Sequence, residues 1–181
     1  MSRTVLITGA SSGIGRATAL ELLRGGHTVY GGARRAESLG AVTAAGGHAL
    51  AMDVTSDEDR QRAVRTVLGR QARIDVEVVL VQPGLIRTEF GDVTAGGARE
   101  LSGHGPYHDL AEGLAASTEA LYREDSKASD PSVVAATIRK AVESTSPKPR
   151  YPVGYMARRL LALNRFLPAR LFDRVATSQI T

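Results

Sequence analysis

The stretch Thr8-Gly9-Ala10-Ser11-Ser12-Gly13-Ile14-Gly15 decides how the rest of the chain is read. Val5-Leu6-Ile7 before it has the short, apolar character of a buried strand. Gly13 to Arg24 after it carries Ile14, Ala17, Thr18, Leu20 and Leu22 at helical spacing. A strand that ends in glycines and opens directly into a helix is the context a dinucleotide site requires. Gly9 permits the tight turn, Gly13 lets the backbone approach a pyrophosphate, and Gly15 lets helix pack closely on strand. The helix start then presents N–H groups and a positive dipole end to the phosphates. Thr8, Ser11, Ser12 and Ile14 complete this loop as candidate nucleotide contacts.

Outward from the loop, the pattern repeats. Thr28-Val29-Tyr30 begins a second strand that ends near Ala33, and a short helix is expected over Glu37 to Ala45. His48 to Met52 is a third strand. Thr55-Ser56-Asp57-Glu58 has the capping hydroxyls and first-turn acids of a helix start, so these carboxylates need no catalytic role. Val76 to Val81 reads as a fourth apolar strand. Strands alternating with helices at this spacing predict an α/β fold, a Rossmann-like doubly wound parallel sheet with helices on both faces. The expected strand order is 3-2-1, continued by the fourth strand. Beyond Pro83-Gly84, Gly91 to Pro106 is rich in glycine and polar residues and reads as a long loop. Leu110 to Arg123 and Pro131 to Glu143 read as helices, Tyr151 to Val153 as a short strand, and Met156 to Leu167 as a basic, apolar-striped helix. The whole of 1–181 is read as one domain, with a nucleotide-binding half over 1–76 and the Pro-Gly motif, lid loop and C-terminal helices over 77–181.

The spacing Gly-x-x-x-Gly-x-Gly, as it stands from Gly9 to Gly15, closely resembles the short-chain dehydrogenase/reductase family. Asp53-Val54 after the third strand resembles the family's aspartate contact to the adenine ring. Pro83-Gly84-Leu85-Ile86-Arg87-Thr88 resembles the family's Pro-Gly motif. There the resemblance implies that the backbone of Ile86 meets the nicotinamide carboxamide and the hydroxyl of Thr88 reaches the cofactor phosphates. An acid that would bind ribose hydroxyls is replaced by Ala33 at the end of the second strand, followed by Arg34 and Arg35. A guanidinium fork suits a 2′-phosphate better than a diol, so NADP(H) is the expected cofactor, with NADPH preferred over NADH. The resemblance implies hydride transfer between an alcohol and a ketone or aldehyde.

The family's catalytic Tyr-x-x-x-Lys does not occur in this sequence, and no catalytic residue is assigned. Tyr122 and Lys127 are one residue too far apart to share a helix face. A tyrosine near its usual pKa of about 10 is a poor base at neutral pH without a neighbouring cation. Arg73-Ile74-Asp75-Val76 resembles the entry to the family's fourth strand, and Val78 to Gly84 its sixth, so two strand halves look joined near Val76-Glu77. Family members run to about 250 residues, and a single contiguous loss would account for the difference. The usual dimer helices would lie in that block, so the family's oligomer is not expected. The alternative function is therefore an inactive nucleotide-binding relic or a defective product. In either case Val76 to Val81 must form an exposed edge or pair with Tyr151–Val153.

Other chemistries find little support. There are no cysteines, which excludes disulfides and thiolate nucleophiles and fits a reducing cytoplasm. His104 and His108 flank Gly105-Pro106 and complete no metal site. No serine stands in Gly-x-Ser-x-Gly. Seven basic residues against one acid lie from Lys148 onward (7 − 1 = +6), leaving 4 − 6 = −2 for residues 1–147. The basic balance belongs to one end, which argues against a nucleic-acid partner for the domain. Met156, Leu160, Leu163, Leu167 and Leu171 share a helical face in that region. The face suits either a membrane interface or a lid over a substrate cleft, and the core-facing lid is preferred.

Overall fold

The computed structural model describes residues 2–69, 78–123, 125–166 and 171, without the side chains of 164 and 165. The chain divides into two compact units, Met1–Val81 with Pro131–Tyr151 and Gln82–Asp130 with Pro152–Thr181. The division does not fall at residue 76, because α6 (Pro131–Glu143) belongs with the first unit. The expected join near Val76-Glu77 lies outside the described residues.

In the first unit, β1 (Thr4–Thr8), β2 (Thr28–Ala33) and β3 (His48–Ala51) form a parallel sheet with β2 in the middle. Thr4 pairs with Thr28 through Thr8 with Gly32, and Tyr30 with His48 through Ala33 with Ala51. The 3-2-1 order is thus as expected. Between the strands run α1 (Gly13–Arg24), a 3-10 turn at Ala36–Leu39, and α2 (Gly40–Ala44), with α3 (Asp57–Leu68) following β3. Ser56 caps α3, its hydroxyl accepting from the Asp59 N–H at 3.2 Å, and three acids occupy the first turn. The core holds Ala19 and Leu22 of α1, Val29 and Ala33 of β2, and Leu39 and Val42, with Val142 of α6 against it.

Two polar links tie α6 to this unit. Arg139 pairs with Glu21 of α1 at 3.0 Å and with Glu143 at 2.8 Å. The buried ring of His27 accepts the Arg3 N–H at its Nδ1, which leaves its Nε2–H to donate to Glu143 at 3.2 Å. The apolar stripe of α6, Val134, Ala135 and Ala141, is buried, and it is this stripe that requires a partner surface.

The fourth strand departs from the expected order. β4 is Leu80–Pro83, shorter than the apolar run, and it pairs with β5 (Arg150–Val153) in a separate two-stranded sheet. The Leu80 N–H donates to Pro149 and the Gly84 N–H to Val153, the same offset along the chain, so the pair is parallel. Of the two outcomes open to this strand, pairing near Tyr151–Val153 is the one adopted, and it gives partners to the backbone groups along one side of the strand.

The second unit corrects a further expectation. Most of the loop expected over Gly91–Pro106 is a helix, α4 (Phe90–Ser102), followed by α5 (His108–Tyr122). Three glycines inside α4 disfavour it by roughly 3 kcal/mol against alanine. Packing against α5 outweighs this. Arg99 of α4 bonds both Glu112, at 3.2 Å, and Glu119 of α5, which raises its pKa and lowers that of Glu119. A Cβ on Gly91 would stand 2.6 Å from the Tyr122 ring, so glycine is what permits the two helices to approach there. The basic helix α7 (Ala157–Phe166) closes the described part of this unit.

Candidate nucleotide-binding site

Gly9, Arg34 and Asp53 follow the carboxyl ends of β1, β2 and β3, the end of a parallel α/β sheet at which ligands bind. The first loop leaves β1 with Gly9 at φ +65° and enters α1 with Gly13 at φ +50°, backbone conformations that side chains resist. A Cβ on Gly15 would overlap the Gly9 carbonyl, so the α1 start lies directly on the turn. Around Gly9 itself a Cβ would meet nothing, so its positive φ, not crowding, is what favours glycine there. Ser12 is the extended N-cap residue of α1, and its hydroxyl makes no cap bond to the helix. Thr8 is exposed at the strand end, Ser11 and Ile14 are half-buried, and Ala10 is buried, its N–H donating to Gly32 at 3.2 Å.

Gly31 and Gly32, unremarked in the sequence, matter to this geometry. A Cβ on Gly31 would press on Ala10 at 3.2 Å, and one on Gly32 would press on Met52. Two glycines inside a strand were the signal that another segment approaches closely.

Arg34 and Arg35 are both exposed just past β2. Arg35 begins the 3-10 turn, its carbonyl accepting from the Ser38 hydroxyl at 2.6 Å. The Asp53 carboxylate accepts the Thr55 N–H at 2.9 Å and the Thr55 hydroxyl at 2.7 Å, closing a turn into α3. These two bonds, with a smaller pull from Arg34, hold Asp53 below the usual carboxylate range. Its own N–H donates to Asp59 at 2.8 Å, while Val54 next to it is exposed. The first unit therefore assembles a glycine turn, a guanidinium and an ionised carboxylate along one sheet edge.

Pro83, Gly84, Ile86 and Thr88 lie in the second unit. Leu85 bridges Tyr155, and its carbonyl accepts from Ser129, whose own carbonyl accepts the Arg87 N–H at 2.9 Å. Because Leu85 and Arg87 make these bonds, the N–H and C=O of Ile86 point to the opposite side, while its side chain is buried. The Thr88 hydroxyl accepts the Phe90 N–H at 3.4 Å, at the start of α4. Ser129 was not singled out in the sequence. It anchors this segment from both sides, with its hydroxyl also accepting from the Tyr155 N–H at 2.8 Å. Among the described residues, no group of His, Asp or Glu is arranged to hold a metal ion, and no helix is long and apolar enough to cross a membrane.

Residues 3–81 match the family model described as short chain dehydrogenase, which spans the glycine turn, β2, β3 and α3. Over these residues the chain is similar to the short-chain dehydrogenases. Serine 3-dehydrogenase of Agrobacterium fabrum is 41% identical over 81 residues, covering 43% of this chain and 32% of that protein. An NADPH-dependent pterin aldehyde reductase of Arabidopsis thaliana is 42% identical over 82 residues, covering 42% of this chain and 34% of that protein. A solved short-chain dehydrogenase from Streptomyces avermitilis shares the fold, with a TM-score of 0.60 over 98% of each chain at 21% identity. These two curated dehydrogenase relatives are thus matched over only about a third of their length.

Proposed function

We propose that this chain is a short-chain dehydrogenase that binds NADP(H). The observation that carries this reading is the sheet edge itself. Positive-φ glycines and a glycine whose Cβ would overlap the turn stand after β1, and an exposed guanidinium replaces an acid after β2. Gly13, Ile14 and Gly15 would receive the pyrophosphate, Arg34 and Arg35 the 2′-phosphate, and Asp53 with Val54 the adenine side. Ile86 would offer its backbone to the nicotinamide carboxamide, and Thr88 its hydroxyl to a phosphate. The bound nicotinamide would supply the hydride for reduction of a ketone or aldehyde, or take it from an alcohol. The test is fluorescence titration with NADPH and NADH. NADPH should bind at least about tenfold tighter, and Arg34→Asp should erase or reverse the difference. Equal affinities for the two nucleotides would overturn the assignment of Arg34.

A second reading is favoured by one specific observation, the lack of a Tyr-x-x-x-Lys pair. On this reading the chain binds nucleotide without turnover. Purified protein should then leave a panel of alcohols, ketones and aldehydes unchanged with either cofactor. Turnover that disappears in Tyr122→Phe would show that Tyr122 serves as the proton donor despite its spacing.

A further inference from the structure

The turn before α3 is held more tightly than the helix start requires. Ser56 caps α3 with its hydroxyl, and in the usual capping box the third helical residue returns to the N–H of the cap residue. Here the Ser56 N–H is already taken by the Asp53 carbonyl, at 3.1 Å. Asp59, the third helical residue, reaches past the cap instead, and its Oδ2 accepts the Asp53 N–H at 2.8 Å. Its Oδ1 accepts from Arg62 at 2.6 Å, and Arg62 also donates to the Ala51 carbonyl at 3.2 Å. The next residue, Arg60, donates to the Val54 carbonyl at 2.7 Å and to Asp57 at 3.0 Å.

These bonds use up most of the polar groups of Asp53 and Val54. The Asp53 N–H goes to Asp59 and its carbonyl to Ser56, the Val54 carbonyl goes to Arg60, and the Asp53 Oδ1 takes both bonds from Thr55. Among the described residues, the Asp53 Oδ2 and the Val54 N–H keep no hydrogen-bond partner. The first is an acceptor and the second a donor. The edge of adenine presents the complement, an amino group that donates and a ring nitrogen that accepts. Hypoxanthine presents the reverse, a carbonyl and a ring N–H, so both contacts would be mismatched. Given the assignment of Asp53 and Val54 to the adenine side, on which this rests, we infer that Asp59 and Arg60 are positioning residues that give the site its choice of adenine over hypoxanthine. Neither side chain is assigned a contact with the base. Asp59 fixes one end of the Asp53-Val54 segment and Arg60 the other, so the free acceptor and the free donor keep a fixed relation. α3 itself is buried through Ala63 and Val67, and the Arg60 side chain is 48% exposed, so replacing either positioning residue leaves the packing of the helix intact.

Fluorescence titration with NADPH and with its hypoxanthine analogue tests this, with circular dichroism melting to confirm folding. The wild type should bind NADPH at least about tenfold tighter than the analogue. In Asp59→Ala the affinity for NADPH should fall at least about fivefold while that for the analogue changes by less than about twofold, so the preference collapses. Arg60→Met should act in the same direction and more weakly, because Val54 is exposed and water can replace the lost donor. Asp59→Asn, whose amide oxygen can still accept the Asp53 N–H, should retain the preference. A purely structural role would lower both affinities together and leave their ratio as it was. Parallel loss of both ligands in Asp59→Ala therefore overturns the inference, as does an unchanged ratio or a collapse that Asp59→Asn shares in full. Should Asp59→Ala fail to fold, an unchanged ratio in Arg60→Met overturns it. A wild type that binds NADPH and the analogue equally overturns it at the base itself. A wild type that binds neither overturns the nucleotide reading, and this inference with it.

Discussion

Two glycine-rich stretches fold in opposite ways. In Gly9–Gly15 of the first unit, glycine is required. Two of its three glycines have positive φ, and the third has no room for a Cβ beside the Gly9 carbonyl. In Gly91–Gly103 of the second unit, Gly96 and Gly97 sit inside a regular helix with open space where a Cβ would stand. Of the glycines inside that helix only Gly91 is held to glycine, by the Tyr122 ring, while Gly103 just past its end has the Arg99 carbonyl where a Cβ would stand. Glycine content therefore does not distinguish a phosphate loop from a helix. Only the conformation and the neighbours of each glycine do.

The contrast can be broken at single positions. Gly15→Ala should have the largest effect, a loss of about 2–3 kcal/mol with loss of nucleotide binding, because backbone must move to admit the Cβ. Urea unfolding with an NADPH titration measures both, and a stable variant with normal affinity would show that the turn has slack. Gly91→Ala should be milder, about 1–2 kcal/mol of destabilisation, since the Tyr122 side chain can shift. Nucleotide affinity should stay unchanged, which separates the two units. Gly96→Ala should act in the opposite direction and stabilise the chain by up to about 1 kcal/mol through helix propensity. A destabilised Gly96→Ala would mean that α4 is not helical in solution.

A smaller and distributed effect concerns pH. Bonds from Thr55 hold Asp53, and bonds from the Asp53 N–H and Arg62 hold Asp59, below the usual carboxylate range. Arg139, and after it His27, lowers Glu143. Carboxylates depressed in the folded state stabilise it above their unfolded pKa, and that contribution is lost as pH falls through the folded values. Stability should therefore fall gradually on acidification below the usual carboxylate range. Asp59→Asn should flatten the decline, since its partners are the Asp53 N–H and Arg62. A decline equally steep in Asp59→Asn would assign it to other groups.

The first unit was legible because its signals are local. The strand before Gly9, the helix after it and the Ser56 cap each depend on residues within a turn or two, and the 3-2-1 order follows from short crossovers. The second unit was not legible for the same reason. α4 exists because α5 covers one side of it and because Arg99 reaches Glu112 and Glu119, 13 and 20 residues away. Its own composition argues for a loop. Ser129 likewise joins Leu85, Arg87 and Tyr155 from across the chain, and nothing near it in sequence announces that role.

By itself the sequence determined the α/β class, the glycine turn, the Arg34 substitution at the end of β2, and the lack of a Tyr-x-x-x-Lys pair. Each is a matter of residue type at fixed spacing, readable without knowing what packs on what. Tertiary structure alone decided that β4 pairs with β5 instead of extending the first sheet, that α6 returns to the first unit, and that a loop composition becomes a helix. The reason in each case is that burial and hydrogen bonding between distant segments outweigh local preferences of about 1 kcal/mol per residue.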